Sequence, residues 1–268
     1  VMLGHTIATM SRLDGKLAVV TGGSGWLGTT ICDTLTELGA TTVSVGRSST
    51  HPNPAVKVVE LDMSLQCAND RTDLEARINE AVSSISGMNS GHIDILVNNM
   101  CSWPNSVDFM TTDLATLGSS FDSNVTAQLG FTQAIVAEML TNGTSGSIIN
   151  IASMYGSVSP QHEMYRGQGG NALMYGASKA ALIQATKYLA ALLGKDGIRV
   201  NAISPGPFPR AGALDGKEWF ERELNARTML GRVASPHELK GVIALLASDL
   251  GSFITGANIP VDGGWTAW

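Results

Sequence analysis

Residues 17–28 read LAVVTGGSGWLG, and this stretch decides which fold we expect. Its first five residues form an apolar run of the kind found in buried strands. Glycines at G-x-G-x-x-G spacing follow, and the segment after them has the composition of a helix. Strand, glycine turn and helix in this order are typical of the first unit of a dinucleotide-binding fold. In that unit the turn lets the backbone approach a pyrophosphate, and the helix N-terminus attracts it.

The glycine turn provides the first set of candidate site residues. A turn with only a structural role is the alternative, because a chain with 30 glycines contains such spacings by chance. The position directly after the first predicted strand favours dinucleotide binding over that alternative. The predicted cofactor-binding residues of the turn are Gly22, Gly23, Ser24, Gly25, Trp26, Leu27 and Gly28.

Apolar runs and amphipathic segments alternate along the whole chain. Strands that alternate with helices require parallel crossover connections. We therefore predict an α/β fold with a doubly wound parallel sheet of about seven strands and helices on both faces. The predicted strands are residues 17–21, 42–45, 56–61, 93–98, 146–151, 199–203 and 258–261, and the predicted helices are residues 26–38, 72–85, 114–140, 172–193 and 236–247.

The chain contains no low-complexity linker and no tandem repeat. We therefore expect one domain over residues 14–268, preceded by a loose N-terminal arm of residues 1–13. Two stretches, residues 157–171 and 207–225, are predicted to be substrate loops, because long loops in compact domains are commonly functional.

Composition and charge argue against several classes of partner. The formal net charge is −6 and no basic run occurs, so nucleic acid is not an expected partner. No apolar run approaches the ~20 residues that span a bilayer, so no membrane partner is expected. The three cysteines, Cys32, Cys67 and Cys101, are widely spaced, which favours thiols in a reducing compartment over disulfides or a metal site. We therefore expect a cytoplasmic protein without a metal.

The residues after the second predicted strand indicate which dinucleotide binds. An enzyme that uses NAD commonly has an acidic residue about 20 positions beyond the glycine turn, bonded to the ribose hydroxyl. No Asp or Glu occurs between Glu37 and Glu60, whereas Arg47 and Ser48 offer a guanidinium and a hydroxyl. These groups suit the 2′-phosphate of NADP(H). The alternative is that Arg47 is a solvated loop residue.

A tyrosine and a lysine lie four positions apart in the alanine-rich helix predicted at residues 172–193. At this spacing, Tyr175 and Lys179 share one helical face. A phenol with a pKa near ~10 exchanges protons poorly at neutral pH, and a neighbouring ammonium group lowers that pKa. The two residues are therefore a candidate acid–base pair, although ordinary helices also contain this spacing by chance.

Further motifs accompany these residues in a fixed order. Taken together they resemble the short-chain dehydrogenase/reductase family, in its compact single-domain branch, over about residues 14–264. The resemblance implies a Rossmann fold and a homodimer or homotetramer. Beside the glycine turn, Tyr175 and Lys179, the motifs are Asp62, Asn98-Asn99, Asn124, Ser153, Pro205-Gly206 and residues 261–264, which read VDGG.

The resemblance implies a catalytic set of four residues. Ser153 would hydrogen-bond the substrate oxygen, and Tyr175 would transfer its proton. Lys179 would lower the pKa of Tyr175 and hold the nicotinamide ribose, while Asn124 would position a water molecule in a proton relay. The alternatives are that Ser153 only ends a strand and that Asn124 bonds to its own helix.

Other motifs would hold the cofactor. Asp62 and Met63 would flank the adenine, although Asp62 could instead cap a turn. The remaining residues that we expect to contact the cofactor are Asn98, Asn99, Tyr175, Lys179, Pro205, Gly206 and Phe208.

The chain departs from the family pattern around the expected substrate pocket. Met100 and Cys101 stand where small residues are common. Ser153 and Tyr175 are 22 positions apart, which is farther than is usual and leaves a polar insertion between them. We expect this insertion to select the substrate. The candidate substrate contacts are Trp103, Met154, Tyr155 and Arg166.

These features predict an NADP(H)-dependent oxidoreductase that interconverts a secondary alcohol and a ketone by hydride transfer. A sugar or another polar hydroxy or keto compound is the expected substrate, and a small apolar or polyketide-like ketone is the alternative. The spacing of four between tyrosine and lysine argues against the enoyl reductases of the family, whose spacing is wider. A non-catalytic NADP(H)-binding sensor or scaffold of the same fold is the alternative from another class.

Overall fold

Seven parallel strands form one sheet in the computed structural model, which describes residues 6–64, 70–103, 108–166 and 172–268. The strands are β1 (Leu17–Thr21), β2 (Thr41–Gly46), β3 (Lys57–Glu60), β4 (Ile95–Asn98), β5 (Ser147–Ile151), β6 (Arg199–Pro205) and β7 (Asn258–Val261). They lie in the order β3-β2-β1-β4-β5-β6-β7, and every neighbouring pair is parallel. The predicted doubly wound α/β fold is confirmed, and each strand begins and ends within two residues of its predicted position.

Helices cover both faces of the sheet. They are α1 (Ile7–Met10), α2 (Trp26–Glu37), α3 (Arg71–Ser86), α4 (Leu114–Phe121), α5 (Ala127–Thr141), α6 (Leu173–Leu193), α7 (Glu218–Arg227) and α8 (Lys240–Ala247). None of the described helices is long and apolar enough to cross a membrane.

Alternate residues of β1 point into opposite layers, as the pleat of a strand requires. Leu17 and Val19 pack in a core with side chains of α3, α5 and α6, whereas Ala18 and Val20 pack in a second core with α2 and α8. All of β1 is therefore buried, which explains why its sequence is a continuous apolar run.

The helix predicted at residues 114–140 is interrupted. A π-helical turn, Asp122–Thr126, separates α4 from α5. Such turns occur often at functional sites, because the extra residue in the turn redirects the side chains around it. Asn124, one of the predicted catalytic residues, lies in this turn.

Regular structure also occurs where loops and an arm are predicted. α7 begins inside the loop predicted at residues 207–225, and a 3₁₀ turn, His162–Tyr165, lies inside the loop predicted at 157–171. Residues 167–171 lie outside the described residues. In the predicted arm, Thr6 caps α1 and Leu13 is buried in the second core, while residues 1–5 lie outside the described residues. The single-domain organisation stays a prediction.

The carboxyl ends of the strands meet at one edge of the sheet. At this edge the chain leaves β3 on one side of β1 and returns as β4 on the other, so the direction of winding reverses between β1 and β4. A crevice at such a reversal is where open α/β sheets bind their ligands. The candidate active site lies there.

Candidate active site

The glycine turn after β1 leaves no room for side chains at its glycine positions. Gly22 has a positive φ of 64°, and a Cβ on Gly28 would lie 2.1 Å from the Gly22 carbonyl oxygen. α2 begins after Gly25 without a side-chain cap, so the first N–H groups of the helix are open to a ligand. The indole Nε1 of Trp26 is also buried there and has no hydrogen-bond partner among the described residues. A cradle that excludes Cβ atoms and presents free N–H donors fits a dinucleotide pyrophosphate.

The end of β2 supplies the predicted 2′-phosphate contacts. Arg47 and Ser48 are both exposed, and within the described ranges Arg47 takes part in no ion pair or hydrogen bond. The hydroxyls of Ser24 and Ser48 both donate to the carbonyl of Thr50, at 3.0 and 2.7 Å. This end of the site therefore offers one uncommitted cation close to the glycine turn, whereas both hydroxyls donate to Thr50 in this structure.

The side chain of Met63 does not reach the crevice. Met63 is fully buried in the core beneath β1, so only its backbone could contact an adenine. Asp62 forms a turn in which its Oδ1 accepts the Ser64 N–H at 2.9 Å. In this structure Asp62 therefore caps a turn, which is the alternative interpretation of this residue.

Asn98 and Asn99 have different surroundings, although both were expected to support the cofactor. The amide of Asn98 is buried inside the sheet layer, where its Nδ2 donates to Thr132 Oγ1 and Asn150 Oδ1, both at 2.8 Å. Asn99 Nδ2 donates instead to the Gly22 carbonyl at 3.0 Å. Asn99 thus ties the end of β4 to the glycine turn, whereas the Asn98 side chain holds β4 to its neighbours.

Pro205, Gly206 and Phe208 follow the end of β6. A Cβ on Gly206 would lie 2.6 Å from the Cα of Asp262, so the backbone crosses residues 261–264 closely at this point. Pro205 is buried, and Phe208 packs against the second core. These three residues thus form one wall beside the sheet edge.

Ser153 and Tyr175 meet at the catalytic end of the crevice. Ser153 follows β5 and accepts the Tyr155 N–H at its Oγ, at 3.2 Å. Burial raises the pKa of Tyr175 to about 12, a nearby Cys101 adds to this, and the hydrogen bond with Ser153 opposes it. Tyr175 therefore keeps its proton at neutral pH.

Lys179 lies one helical turn after Tyr175, and the backbone at the end of β5 holds its amine. Its Nζ donates to the Ile151 carbonyl at 2.8 Å and is 5.8 Å from the centroid of the Tyr175 ring. Burial lowers the pKa of Lys179, because desolvation disfavours its charged form. Lys179 is not among the groups that shift the pKa of Tyr175 in this structure, so its lowering of that pKa stays a prediction.

Asn124 is committed to protein contacts. Its amide forms two bonds with the backbone of Ser102: Nδ2 donates to the carbonyl at 2.8 Å, and Oδ1 accepts the N–H at 2.7 Å. Gln128 Nε2 donates to the Asn124 carbonyl at 2.7 Å. In this structure Asn124 therefore fastens the segment after β4 to the π-helical turn, and its place in a water relay stays a prediction.

Trp103 is the predicted substrate contact that lies against Tyr175, the candidate proton donor. Its ring centroid is 4.7 Å from that of Tyr175, and the side chain is 54% exposed. Met154 and Tyr155 are buried below the site. Arg166 instead faces α7, where it lies over the Trp219 ring at 4.6 Å and pairs with Glu223 at 3.7 Å.

Two site features were missed in the sequence. Tyr165, from the 3₁₀ turn of the insertion, shares a hydrogen bond of 3.0 Å with Tyr155 through the two hydroxyls. α7 packs against this turn, with the rings of Phe220 and Tyr165 5.4 Å apart. An aromatic residue inside a polar insertion was the available signal for Tyr165.

Of the cysteines, Cys32 is buried and Cys101 is exposed, and Cys67 lies outside the described residues.

Comparisons with known proteins agree with this geometry. A family model described as "Enoyl-(Acyl carrier protein) reductase" matches residues 25–266. Galactitol 2-dehydrogenase (L-tagatose-forming) from Cereibacter sphaeroides is 32% identical over 263 residues, which are 97% of this chain and 98% of that protein.

Two solved structures share the fold over nearly the full chain. A gluconate 5-dehydrogenase from Burkholderia cenocepacia J2315, in complex with NADP and tartrate, has a TM-score of 0.84 at 26% identity, with 98% of this chain and 100% of that chain covered. A short chain dehydrogenase from Leptospira borgpetersenii serovar Hardjo-bovis with bound NAD+ has a TM-score of 0.83 at 25% identity, with 99% and 98% covered. The ordered motifs, the fold and these matches lead to one conclusion: the chain belongs to the short-chain dehydrogenase/reductase family of oxidoreductases.

Proposed function

We propose that the protein is an NADP(H)-dependent oxidoreductase that interconverts a secondary alcohol and a ketone on a polar, hydroxylated substrate. One observation carries this proposal: Tyr175, Ser153 and the buried Lys179 lie together at the sheet edge that also bears the glycine cradle, and burial raises the pKa of the Tyr175 phenol to about 12. A proton donor, an oxygen-binding hydroxyl and a dinucleotide cradle are the groups that this reaction requires.

The chain's own residues can manage the proton and the substrate oxygen. With its pKa raised to about 12, Tyr175 holds the proton that a carbonyl oxygen must receive during reduction. Ser153 Oγ accepts a backbone N–H, so its own hydrogen remains to donate to negative charge on that oxygen. Lys179, whose amine donates to the Ile151 carbonyl, would bind the nicotinamide ribose. When bound, the cofactor supplies or accepts the hydride.

The preference for NADP(H) rests on the chain's own residues. Arg47 is exposed, has no ion pair in the described parts of the chain, and lies in a segment, residues 38–59, that contains no Asp or Glu. An uncommitted guanidinium suits a phosphate, whereas a ribose hydroxyl is usually bound by a carboxylate. The two solved relatives hold NADP in one case and NAD+ in the other, so they favour neither cofactor.

A polar substrate is supported by the relatives and by the shape of the site. Galactitol and gluconate, the compounds in the names of two relatives, both carry several hydroxyl groups. Trp103 places an exposed ring beside Tyr175. The apolar face of a sugar or polyol can pack on such a ring while its hydroxyls bond elsewhere.

The proposed reaction is tested by following the absorbance of NADPH during incubation with simple ketones and keto-sugars. We expect oxidation of NADPH with at least one keto-sugar, because the proton donor and the cradle are both present. Mixtures without ketone serve as the control. If calorimetry detects NADPH binding but no compound is reduced, the non-catalytic sensor is the correct function.

We further propose that the protein is a homodimer or homotetramer. The helical layer formed by α4, α5 and α6 exposes large apolar side chains, with Leu114 85%, Leu140 47% and Leu192 50% exposed. Burial of such a surface between copies is favourable. Light scattering should therefore give a multiple of the 28.0 kDa chain mass. A Leu192→Glu variant should shift the mass downward, and a monomeric wild-type protein would refute the proposal.

A further inference from the structure

Two phenol hydroxyls meet beside the catalytic tyrosine. Tyr155, which follows Ser153 by two positions, and Tyr165, from the insertion, share a hydrogen bond of 3.0 Å between their hydroxyl oxygens. Both side chains belong to the same apolar cluster as Tyr175. Three of the chain's four tyrosines therefore lie together at the substrate end of the crevice.

The position of Tyr165 is fixed from outside the site. Its ring packs on Phe220 with the centroids 5.4 Å apart. On either side of it, Arg166 lies over the Trp219 ring and Gln161 Oε1 accepts from Arg227 Nε at 2.6 Å. The insertion is thus held against α7 at several points. A hydroxyl on a supported segment can discriminate between ligands, because little ordering is required on binding.

The position of Tyr155, the other member of the pair, is fixed as well. Tyr155 is buried, and its ring meets the edge of Trp265 at a centroid distance of 6.4 Å. The half-exposed ring of Trp103 contacts Tyr175. Tyr165 and Tyr175 pack against the same buried cluster, which contains Tyr155 and Trp265. Tyr175 thus shares one cluster with the two hydroxyls and also contacts an exposed aromatic ring.

We infer that the Tyr155–Tyr165 hydroxyl pair recognises a second hydroxyl group of the substrate, near the carbon that reacts at Tyr175. This inference rests on the proposed function and narrows the substrate class to diols, polyols and hydroxyketones. A phenol both donates and accepts hydrogen bonds, and so does an alcohol, so the groups match in either direction. Tyr165 comes from the insertion, so the pair would account for the predicted role of that segment in substrate selection.

A set of cyclohexane alcohols tests the inference, because its members differ only in the presence or the position of a second hydroxyl. Cyclohexanol, 1,2-cyclohexanediol and 1,3-cyclohexanediol are compared for kcat/KM with NADP+ and, by calorimetry on the NADP+-saturated protein, for affinity. In the Tyr165→Phe variant we expect about a tenfold loss for the preferred diol, the size of one hydrogen bond, appearing mainly in KM. Cyclohexanol should change by less than about twofold.

Phenylalanine keeps the ring that packs on Phe220 and removes only the hydroxyl. Tyr155→Phe removes the other hydroxyl and should cause the same selective loss, so the test survives failure of one variant to fold. Tyr188→Phe is the matched control, because Tyr188 is 67% exposed on α6 outside the crevice.

The outcomes separate this inference from the proposed reaction. An equal loss on all three alcohols, or no loss on either diol, would overturn the inference while leaving the reaction intact. A wild-type protein that prefers neither diol over cyclohexanol in affinity would overturn it too. If the wild-type protein binds a diol more tightly than cyclohexanol but oxidises neither, and Tyr165→Phe abolishes that difference, the inference stands and the proposed reaction fails.

Discussion

Replacing Tyr175 with phenylalanine is expected to lower kcat for ketone reduction by about 10²- to 10⁴-fold, the range attributed to one general acid. The variant keeps the ring beside Trp103 and loses only the hydroxyl. Because burial raises the pKa of this phenol to about 12, the wild-type group is protonated throughout the neutral range. The loss of rate therefore reports the missing proton donor and should not vary with pH between about 6 and 9.

Two controls keep this result interpretable. Tyr188→Phe removes an exposed phenol from the same helix and should retain full activity. Calorimetry should show that Tyr175→Phe still binds NADPH, since the glycine cradle is untouched. Turnover of Tyr175→Phe close to that of the wild-type protein would exclude Tyr175 as the proton donor.

Replacing Arg47 with alanine is expected to weaken NADPH about 10- to 100-fold, the usual loss when one hydrogen bond to a charged group is removed. NADH lacks the 2′-phosphate, so its KM should stay the same within about twofold. The comparison of KM for the two cofactors, in the wild-type protein and the variant, measures this effect. The effect on NADPH should shrink as salt is added, because the contact is exposed and is screened.

Arg222→Ala is the matched control for Arg47→Ala, because it removes an exposed arginine from α7. It should leave both cofactors unaffected. A wild-type protein that binds NADH as tightly as NADPH, with no change in Arg47→Ala, would show that Arg47 is a solvated loop residue and that the cofactor assignment is wrong.

The fold was predictable because buried strands have apolar sequences that can be recognised without the structure. β1 and β7 were predicted at the residues that form them, since a central strand needs a continuous apolar run and a terminal one ends in a distinctive motif. The π-helical turn at Asp122–Thr126 was not predictable, because the apolar pattern continues across it. α7 was missed because the glycines and prolines before it are typical of a loop.

The site was predictable in its residue types but not in its energetics. The spacing of Tyr175 and Lys179 places them on one helical face, yet the pKa of Tyr175 depends on how deeply the phenol is buried, which spacing does not reveal. Asn98 and Met63 matched motif positions, but their side chains point into the interior. The contact between Tyr165 and Tyr155 depends on how the insertion folds back over α7, and no local pattern encodes that.

The all-parallel sheet also governs how the chain folds. Every strand pair that the structure describes is parallel, so each pair needs a crossover connection before it can form, and folding is correspondingly slow. β1 pairs early with β2, but its other neighbour is β4, through contacts such as Ala18 with Ile95. During synthesis one edge of the apolar strand β1 therefore stays open until β4 has left the ribosome. That edge is where a newborn chain is most exposed to wrong pairing.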